Sequence, residues 1–458
     1  MQIYKLLLGV ILMSLSNQAF ADYTLPKYEK FVLENGLTLY LMEQHEVPLI
    51  DINIVTKAGA INDKQLKGLA YLTAKNLTLG TKQHDKAQVN ETVDFIGAQL
   101  TSYATLESSV INSSFAKKDQ QTMLNLLTEI LLTPRFEPSA FLQEKKQHLL
   151  YLEQIKESPK AVINQYFNQL VFGKNGYGSL VQGSHHSVQQ IKLTDLLNFY
   201  QTWYQPNNTA IIVVGDFNSQ EMRKQLTSRF AHWKNNQTLK QNKINLPPPP
   251  KKAQVLLVNK EDAIESTFMI GGLGIAKNNP NRVGISVINT ILGGRFTSWL
   301  NDALRVNSGL TYGARSHFTS YRQSGIFAIS TFTKTDTTVK AIDLALATYD
   351  RLWKQGIDEK TLASAKAYIK GKFPPKFETS EDLSALLAQM YTYDFDESYI
   401  NTFEQQVNSL TIAKTKQLIE HYFPKENLQM VIIGKAAEIK DKVKKYGHLK
   451  QINIKSKL

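Results

Sequence analysis

Two stretches of this chain carry the same landmarks in the same order, some two hundred residues apart. In order, the first contains Leu193-Thr194, Trp203-Tyr204, Asn207-Asn208, the apolar run 211–214 and Gly215. The second contains Leu410-Thr411, Tyr422-Phe423, Glu426-Asn427, the apolar run 430–433 and Gly434. A repeat this long indicates a duplicated domain, since the short repeats of solenoids recur every ~20–50 residues.

The segment between the two copies has the composition of a linker. Residues 236–245 are polar, and four consecutive prolines, Pro247 to Pro250, follow them. Proline has no N–H to donate to a sheet, so such a run forms a stiff extended spacer. The sequence therefore predicts an N-terminal domain at 22–235, a linker at 236–252 and a C-terminal domain at 253–458.

Local patterns within each half predict both strands and helices. Asn35-Gly36 lies between two apolar runs, which is a strong hairpin signal. Residues 50–54 alternate isoleucine with Asp51 and Asn53, a pattern typical of a half-buried strand. Apolar residues at helical spacing recur between Val339 and Trp353. The predicted fold class is α+β, with two homologous domains that each consist of a mostly antiparallel sheet with helices packed on it.

The first 21 residues have the pattern of a secretory signal peptide. Lys5 precedes the apolar run 6–13, and Ala19-Phe20-Ala21 forms a small-x-small cleavage site. An uncleaved anchor is the alternative, although the apolar run is short for a membrane span. The chain has no cysteine, which suits an oxidising compartment. We expect secretion, most simply to a bacterial periplasm.

The chain is basic, with a formal net charge of +13. A basic surface can attract nucleic acid, anionic membrane or acidic peptides. Most of the positive charge is scattered lysine rather than an arginine-rich stripe, and the densest run, 440–445, includes Asp441. A solvated surface is therefore the simpler interpretation, and we expect neither nucleic-acid binding nor a stable membrane span.

Residues 68–81 form a helical frame that zinc peptidases use for their metal. In such a helix, two His at i and i+4 bind the metal, and a Glu between them is the general base. The frame resembles the insulinase (pitrilysin) family motif Gly-Leu-Ala-His-x-x-Glu-His-x-x-x-x-Gly-Thr. Gly68-Leu69-Ala70 and Gly80-Thr81 match the motif, but Tyr71 replaces the first His, Ala74 the Glu and Lys75 the second His.

The third zinc ligand of that family is a Glu on a later helix. The matching stretch places Gln154 at its position, and a shift of one residue would offer Glu153 instead. Catalytic zinc needs three protein ligands, so the resemblance implies that this chain holds no metal of its own. We also hypothesise that the ammonium group of Lys75 fills the vacated site.

The second half keeps a different landmark of the family. Arg305 and Tyr312, the latter in Gly309-Leu310-Thr311-Tyr312, match an Arg/Tyr pair that contacts substrate near the zinc. Both side chains can donate hydrogen bonds to a peptide carbonyl or an oxyanion. The structural alternative is that Arg305 pairs with an acid and Tyr312 is part of the core. One departure is Trp299, which stands where the family often has a second arginine.

The resemblance implies a non-catalytic subunit of a heterodimeric zinc peptidase. The partner, a zinc-bearing paralogue, would supply the metal, and the two chains would enclose an extended peptide bound by strand addition. The alternative is a stand-alone peptide-binding or scaffold protein with a peptidase fold. An enzyme of unrelated chemistry has little support, because the sequence contains no nucleotide-binding glycine-rich loop, no Gly-x-Ser-x-Gly and no cysteine nucleophile.

Overall fold

The structure, a computed structural model, describes residues 23–174, 176–235, 239 and 244–456. The predicted signal peptide at 1–21 and most of the polar part of the linker lie outside the described residues. Two six-stranded sheets form the centre of the molecule, one from each half of the chain. This two-domain α+β architecture confirms the predicted fold class.

The strands of the first sheet lie in the order β1-β2-β6-β3-β5-β4. They are β1 (Glu29–Val32), β2 (Thr38–Glu43), β3 (Leu49–Thr56), β4 (Gln99–Ala104), β5 (Ser109–Ala116) and β6 (Thr209–Gly215). The strands of the second sheet lie in the order β12-β7-β11-β8-β10-β9. They are β7 (Gln254–Asn259), β8 (Glu265–Leu273), β9 (Arg315–Ser320), β10 (Gly325–Lys334), β11 (Gln429–Gly434) and β12 (His448–Asn453).

Five strands of each sheet show the duplication directly. In both sheets a parallel pair, β2 with β6 and β7 with β11, is followed by an antiparallel run that ends at β4 or β9. The sixth strand has a different origin in each half. β1 reaches β2 through the predicted Asn-Gly hairpin and is antiparallel, whereas β12 comes from the C-terminal end and is parallel to β7.

The helices of the first half are α1 (Leu69–Leu77), α2 (Lys86–Phe95), α3 (Gln120–Leu132), α4 (Pro138–Gln154), α5 (Pro159–Phe172), α6 (His185–Gln190), α7 (Leu193–Trp203) and α8 (Ser219–Phe230). Those of the second half are α9 (Arg282–Asn289), α10 (Trp299–Asn301), α11 (Thr338–Lys354), α12 (Glu359–Gly371), α13 (Ser380–Tyr393), α14 (Ser398–Asn401), α15 (Phe403–Asn408), α16 (Ile412–Tyr422) and α17 (Ala436–Val443). Two π-helical segments, Thr290–Gly294 and Asp302–Asn307, follow α9 and α10. Within the described ranges, no helix combines the length and apolarity needed to cross a bilayer.

Each sheet buries both of its faces, and the two faces belong to different cores. On β2, Leu39 and Leu41 pack with helices of their own half, while Tyr40 and Met42 join a core made largely by the second half. The second face of the first sheet is covered by α13, which lies across β3 and β6. In return, α5 of the first half covers β8 and β11 of the second sheet. The two domains therefore exchange one helix each.

This exchange corrects one sequence prediction. The strand at residues 50–54 is not half-buried, because Asp51 and Asn53 are only 3% and 4% exposed. The polar side chains face the other domain rather than solvent. Asn53 Nδ2 donates to Ser384 Oγ on α13 at 2.8 Å, which satisfies a polar group that would otherwise be costly to bury.

An ionic network that is partly buried also joins the halves. Asp394, just after α13, accepts from Lys57 Nζ at 2.7 Å and pairs with the guanidinium group of Arg322. The main-chain N–H of Arg322 donates to Glu107, which also accepts from Tyr177 Oη at 2.8 Å. Each charge in this network has an opposite charge or a hydrogen-bond donor beside it, as burial requires.

The helix exchange predicts that the two halves unfold together. Leu387 is fully buried and lies on the face of α13 that also carries Ser384, so Leu387→Ala should lower the free energy of unfolding by about 2–5 kcal/mol. Denaturant unfolding followed by circular dichroism checks this, and one shifted transition is expected. Leu142→Ala, at a side chain that is 61% exposed, is the control and should change stability by less than about 0.5 kcal/mol. A two-step curve in which one step alone moves would contradict the coupling.

Candidate functional site

The helix α1 is anchored by a buried carboxylate that precedes it. Asp63 accepts from the main-chain N–H groups of Gly68 and Ala70, both at 2.8 Å. Burial raises the pKa of Asp63 to about 7, although both N–H groups favour its charged form. Gly68 has a φ of +94°, and an added Cβ would lie 2.9 Å from Gln182 O. The start of α1 therefore requires a glycine, and the helix ends at Leu77, short of Gly80.

The face of α1 that matches the zinc face is filled by an aromatic stack. The Tyr71 ring lies 4.5 Å from the ring of His148 on α4. Lys75 Nζ lies 5.8 Å from the centre of the Tyr71 ring, so the residues at the two His positions of the motif lie side by side on this face. Ala74 is fully buried and offers no polar atom. Burial raises the pKa of the Tyr71 phenol to about 12, which keeps it protonated near neutral pH.

The imidazole of His148 forms a hydrogen bond with the main chain. Its Nε2–H donates to Gln182 O at 2.7 Å, and because a carbonyl can only accept, this bond fixes the tautomer. Burial lowers the pKa of His148, so the neutral form is favoured. His148 belongs to the buried stripe of α4 that also contains Phe141 and Leu152. That helical spacing is the one sequence signal that could have placed it against α1.

The predicted third-ligand positions lie elsewhere. Gln154 is the last residue of α4 and is exposed. It lies about 9 Å along the helix axis from His148, at ~1.5 Å per residue. Glu153 is paired with Lys156 at 3.2 Å. The structure thus brings Tyr71, Lys75 and His148 together, but not Gln154 or Glu153.

The residues on this face do not fit a catalytic zinc. Such a site takes three ligands from His, Cys, Asp or Glu side chains, and His148 is the single residue of these types in the stack with Tyr71 and Lys75. Across the part of the chain that the structure describes, no group of three such side chains is placed to hold a metal ion.

Arg305 and Tyr312 lie at an open groove of the second half. Arg305 belongs to the second π-helical segment, and its Cζ lies 4.7 Å from the centre of the Phe296 ring. Tyr312 is 82% exposed. Both line one groove of about 600 Å³ beside β9. Tyr312 is therefore not part of the core, and no ion pair among the described residues includes Arg305.

Two asparagines hold the loops around this groove. Asn301 Nδ2 donates to Phe296 O at 2.7 Å, and its Oδ1 accepts from Ala314 N at 3.4 Å. Asn289 Nδ2 donates to Ser316 O at 3.0 Å. Gly293 lies directly on β9, where an added Cβ would be 2.2 Å from Ser316 N. These contacts fix the two π-helical segments against β9.

Trp299, which stands where the family often has a second arginine, packs within its own domain. Its ring lies 4.3 Å from Cζ of Arg351 on α11. That contact packs α10 against α11 inside the second domain. The position therefore contributes to packing, and any further positive charge at the groove has to come from other residues.

A duplicated α+β fold with the helical frame of a zinc peptidase, but without its ligand set, defines a peptidase-like protein. Two family models support this class. Residues 40–183 match the model described as Insulinase (Peptidase family M16), and residues 190–369 match the Peptidase M16 inactive domain. Together they cover more than two thirds of the chain. The chain belongs to the insulinase family.

Two relatives come from one organism, and one is named a zinc protease while the other is named a non-peptidase homologue. The chain is 23% identical to Zinc protease PqqE of Helicobacter pylori, over 92% of this chain and 96% of that protein. It is 24% identical to Non-peptidase homolog YmxG of the same species, over 86% and 90%. A crystal structure of a peptidase M16 inactive domain from Pseudomonas fluorescens superposes with a TM-score of 0.83, at 24% identity, over 89% of this chain and 98% of that one.

The buried His148 predicts a measurable pH dependence of stability. Its native pKa is lowered, chiefly by burial, whereas the unfolded chain has the ordinary value of ~6.5. The unfolded state therefore binds more protons as pH falls, so this contribution is present above about pH 6.5 and declines below it. Denaturation at pH 8 and pH 5.5 should show a smaller loss for His148→Gln than for the wild-type chain.

Two comparisons make that test specific. His186→Gln, at an exposed residue, should keep the wild-type dependence. Asp63, with a raised pKa, gives the opposite slope, but it is present in every variant and cancels. An equal loss of stability in the wild-type and His148→Gln chains would show that folding does not change the pKa of His148, which contradicts the prediction.

Proposed function

We propose that this chain is the non-catalytic subunit of a secreted heterodimeric zinc peptidase. The observation that carries the proposal is the contrast between its two sites. The zinc face of α1 is closed by Tyr71, Lys75 and His148, whereas Arg305 and Tyr312 remain exposed at an open groove. A zinc-bearing paralogue would supply the metal and the general base, and this chain would supply the Arg/Tyr pair.

The chemistry of the pair suits a contribution to a partner's active site. The guanidinium group of Arg305 presents several N–H donors in one plane. The phenol of Tyr312 adds one O–H donor. Donors aimed at a peptide carbonyl strengthen their bonds as negative charge develops on its oxygen. In this chain both side chains project into solvent, where a substrate held by the partner could reach them.

A peptide that adds to this chain as a further strand would do so most readily along β4. This strand ends the first sheet and pairs with β5 on one side, so its outer edge can accept another strand. The strand at the end of the second sheet, β9, is less suited. There Asn289 already occupies the carbonyl of Ser316, which blocks strand addition at that point.

Two further features support the partner and the location. Helicobacter pylori has both a named zinc protease and a named non-peptidase homologue that are similar to this chain, as a pair of unlike subunits would require. Residues 1–21 carry the signal-peptide pattern, and the chain has no cysteine. Export to a periplasm is therefore part of the proposal.

A stand-alone peptide-binding protein is the second candidate. The observation in its favour is that the groove with Arg305 and Tyr312 is already open in the single chain. In that case the chain would bind peptides without a partner that cleaves them. The two candidates differ in one result, the gain in cleavage on mixing with a zinc-bearing paralogue.

The subunit proposal predicts that cleavage appears on mixing and depends on the pair. The purified chain alone should be inert, while a mixture with its His-x-x-Glu-His paralogue should cleave an unfolded polypeptide. A hydrogen bond from a charged donor contributes ~1.5–3 kcal/mol, so Arg305→Ala should lower kcat/KM by roughly 10-fold to 150-fold. Tyr312→Phe removes a neutral donor worth ~0.5–1.5 kcal/mol, a loss of roughly 2-fold to 12-fold.

A matched control exists in the first half. Arg223 is exposed and lies 3.8 Å from the centre of the Phe31 ring, much as Arg305 lies on Phe296, but far from it in the chain. Arg223→Ala should leave cleavage unchanged. If the mixture cleaves no faster than the paralogue alone, the subunit proposal is wrong and the peptide-binding candidate takes its place.

A further inference from the structure

Three arginines converge on the groove that holds Tyr312. Arg295, Arg305 and Arg315 come from the end of the first π-helical segment, the second π-helical segment and the start of β9. All three line the same groove of about 600 Å³. None of the described residues that line it is an aspartate or a glutamate. The packing of these three segments therefore brings into one groove three positive charges that stand ten residues apart in the sequence.

None of the described residues forms an ion pair with these arginines, Arg295, Arg305 and Arg315. Arg295 donates to the neutral Ser364 Oγ at 3.0 Å, and its Nε is buried without a hydrogen-bond partner in the described part of the chain. Burial lowers the pKa of His317, which also lines the groove. The positive charge thus comes from the guanidinium groups, and it is available to a ligand.

Aromatic rings hold two of the guanidinium groups from one side. Arg305 lies on Phe296, which is 62% exposed, and Arg295 lies 5.8 Å from the centre of the Tyr368 ring. A guanidinium group stacked on a ring keeps its N–H donors directed outward in its own plane. Such donors match the two oxygens of a carboxylate. Stacking therefore limits the freedom of these arginines before a ligand arrives.

Beside the groove, part of the β9 main chain is already hydrogen-bonded, so a ligand is recognised there by the side chains of this protein. At Ser316 the carbonyl of β9 is occupied by Asn289, so a ligand cannot simply extend the sheet there. The groove has a volume within the ~300–1,000 Å³ range of ligand sites. A short stretch of extended peptide is a fitting occupant, with its side chains directed at the arginines.

We propose that this groove selects peptides by their acidic side chains. An aspartate or glutamate near the bound segment would accept from Arg295 and Arg315, while Arg305 and Tyr312 contact the peptide main chain. This inference rests on the proposed function in taking a peptide as the ligand, and it adds the substrate class. Arg295 and Arg315 are specificity residues in this scheme, and they replace the positive charge that Trp299 does not provide.

The test measures binding to this chain without any partner. A fluorescent peptide with blocked termini and glutamate residues is compared by anisotropy with the same peptide carrying glutamine instead. Blocked termini ensure that only side-chain carboxylates can distinguish the two. Hydrogen bonds between charged groups are stronger than those between neutral groups, so the glutamate peptide should bind at least about tenfold more tightly than the glutamine peptide, and added salt should reduce the difference.

Variants assign the preference to the groove. Arg295→Gln with Arg315→Gln should remove the difference between the peptides, whereas Arg223→Gln should preserve it. Arg315 is exposed, so Arg315→Gln alone should reduce the preference without harming the fold, and circular dichroism checks the fold of each variant. The same preference should persist in the rate of cleavage by the mixed subunits.

The outcomes separate this inference from the proposed function. Equal binding of the two peptides, no binding of either, or an unchanged preference in the double variant would overturn it. Stronger competition by an oligonucleotide than by the glutamate peptide would overturn the choice of ligand. A mixture that cleaves both peptides equally refutes the inference and leaves the subunit proposal standing. Selective binding of the glutamate peptide, with no cleavage by the mixture, refutes the subunit proposal and leaves the inference standing.

Discussion

The second face of each sheet depends on a helix from the other half of the chain. A sheet that buries one face on its own helices still exposes a row of apolar side chains, such as Tyr40 and Met42 on β2. α13 covers that row in the first domain, and α5 covers the matching row in the second. Because burial of apolar surface stabilises by ~25 cal/mol per Å², neither half reaches its full core alone. The proline-rich linker therefore does not have to hold the domains together.

In both halves, the residues of the candidate site lie in the same connection between strands of the sheet. The link from β3 to β4 contains α1, and the link from β8 to β9 contains the two π-helical segments. Each link is held in place by close contacts that need specific residues. In the first link Asp63 accepts from Gly68 N, and in the second Asn289 and Gly293 both contact Ser316 of β9. Duplication supplied two equivalent positions, and their side chains then diverged. One position carries a closed aromatic stack, and the other carries exposed donors.

Two clusters of charge in the chain differ in whether their charges are paired. Between the domains, Lys57, Arg322 and Asp394 satisfy one another, as expected of charges that are partly removed from water. At the groove, none of the described residues that line it with Arg295, Arg305 and Arg315 is an aspartate or a glutamate. An uncompensated group of like charges costs stability. The groove is thus a place where the fold does not optimise its own stability, and such places are where ligands are expected.

The sequence alone determined the features that depend on residue identity or on neighbours in the chain. These are the Asn35-Gly36 hairpin, the duplication, the α+β class and the replacement of the zinc ligands by Tyr71, Ala74 and Lys75. The tertiary structure decided the features that depend on residues far apart in the chain. It buried Asp51 and Asn53, because a helix more than three hundred residues later covers them, and it set His148, rather than Gln154, against α1. Arg295, Arg305 and Arg315 are close in the chain, but the packing of the two π-helical segments against β9 decides that all three line one groove. Periodicity reports whether a side chain faces a core, but not which distant segment supplies that core.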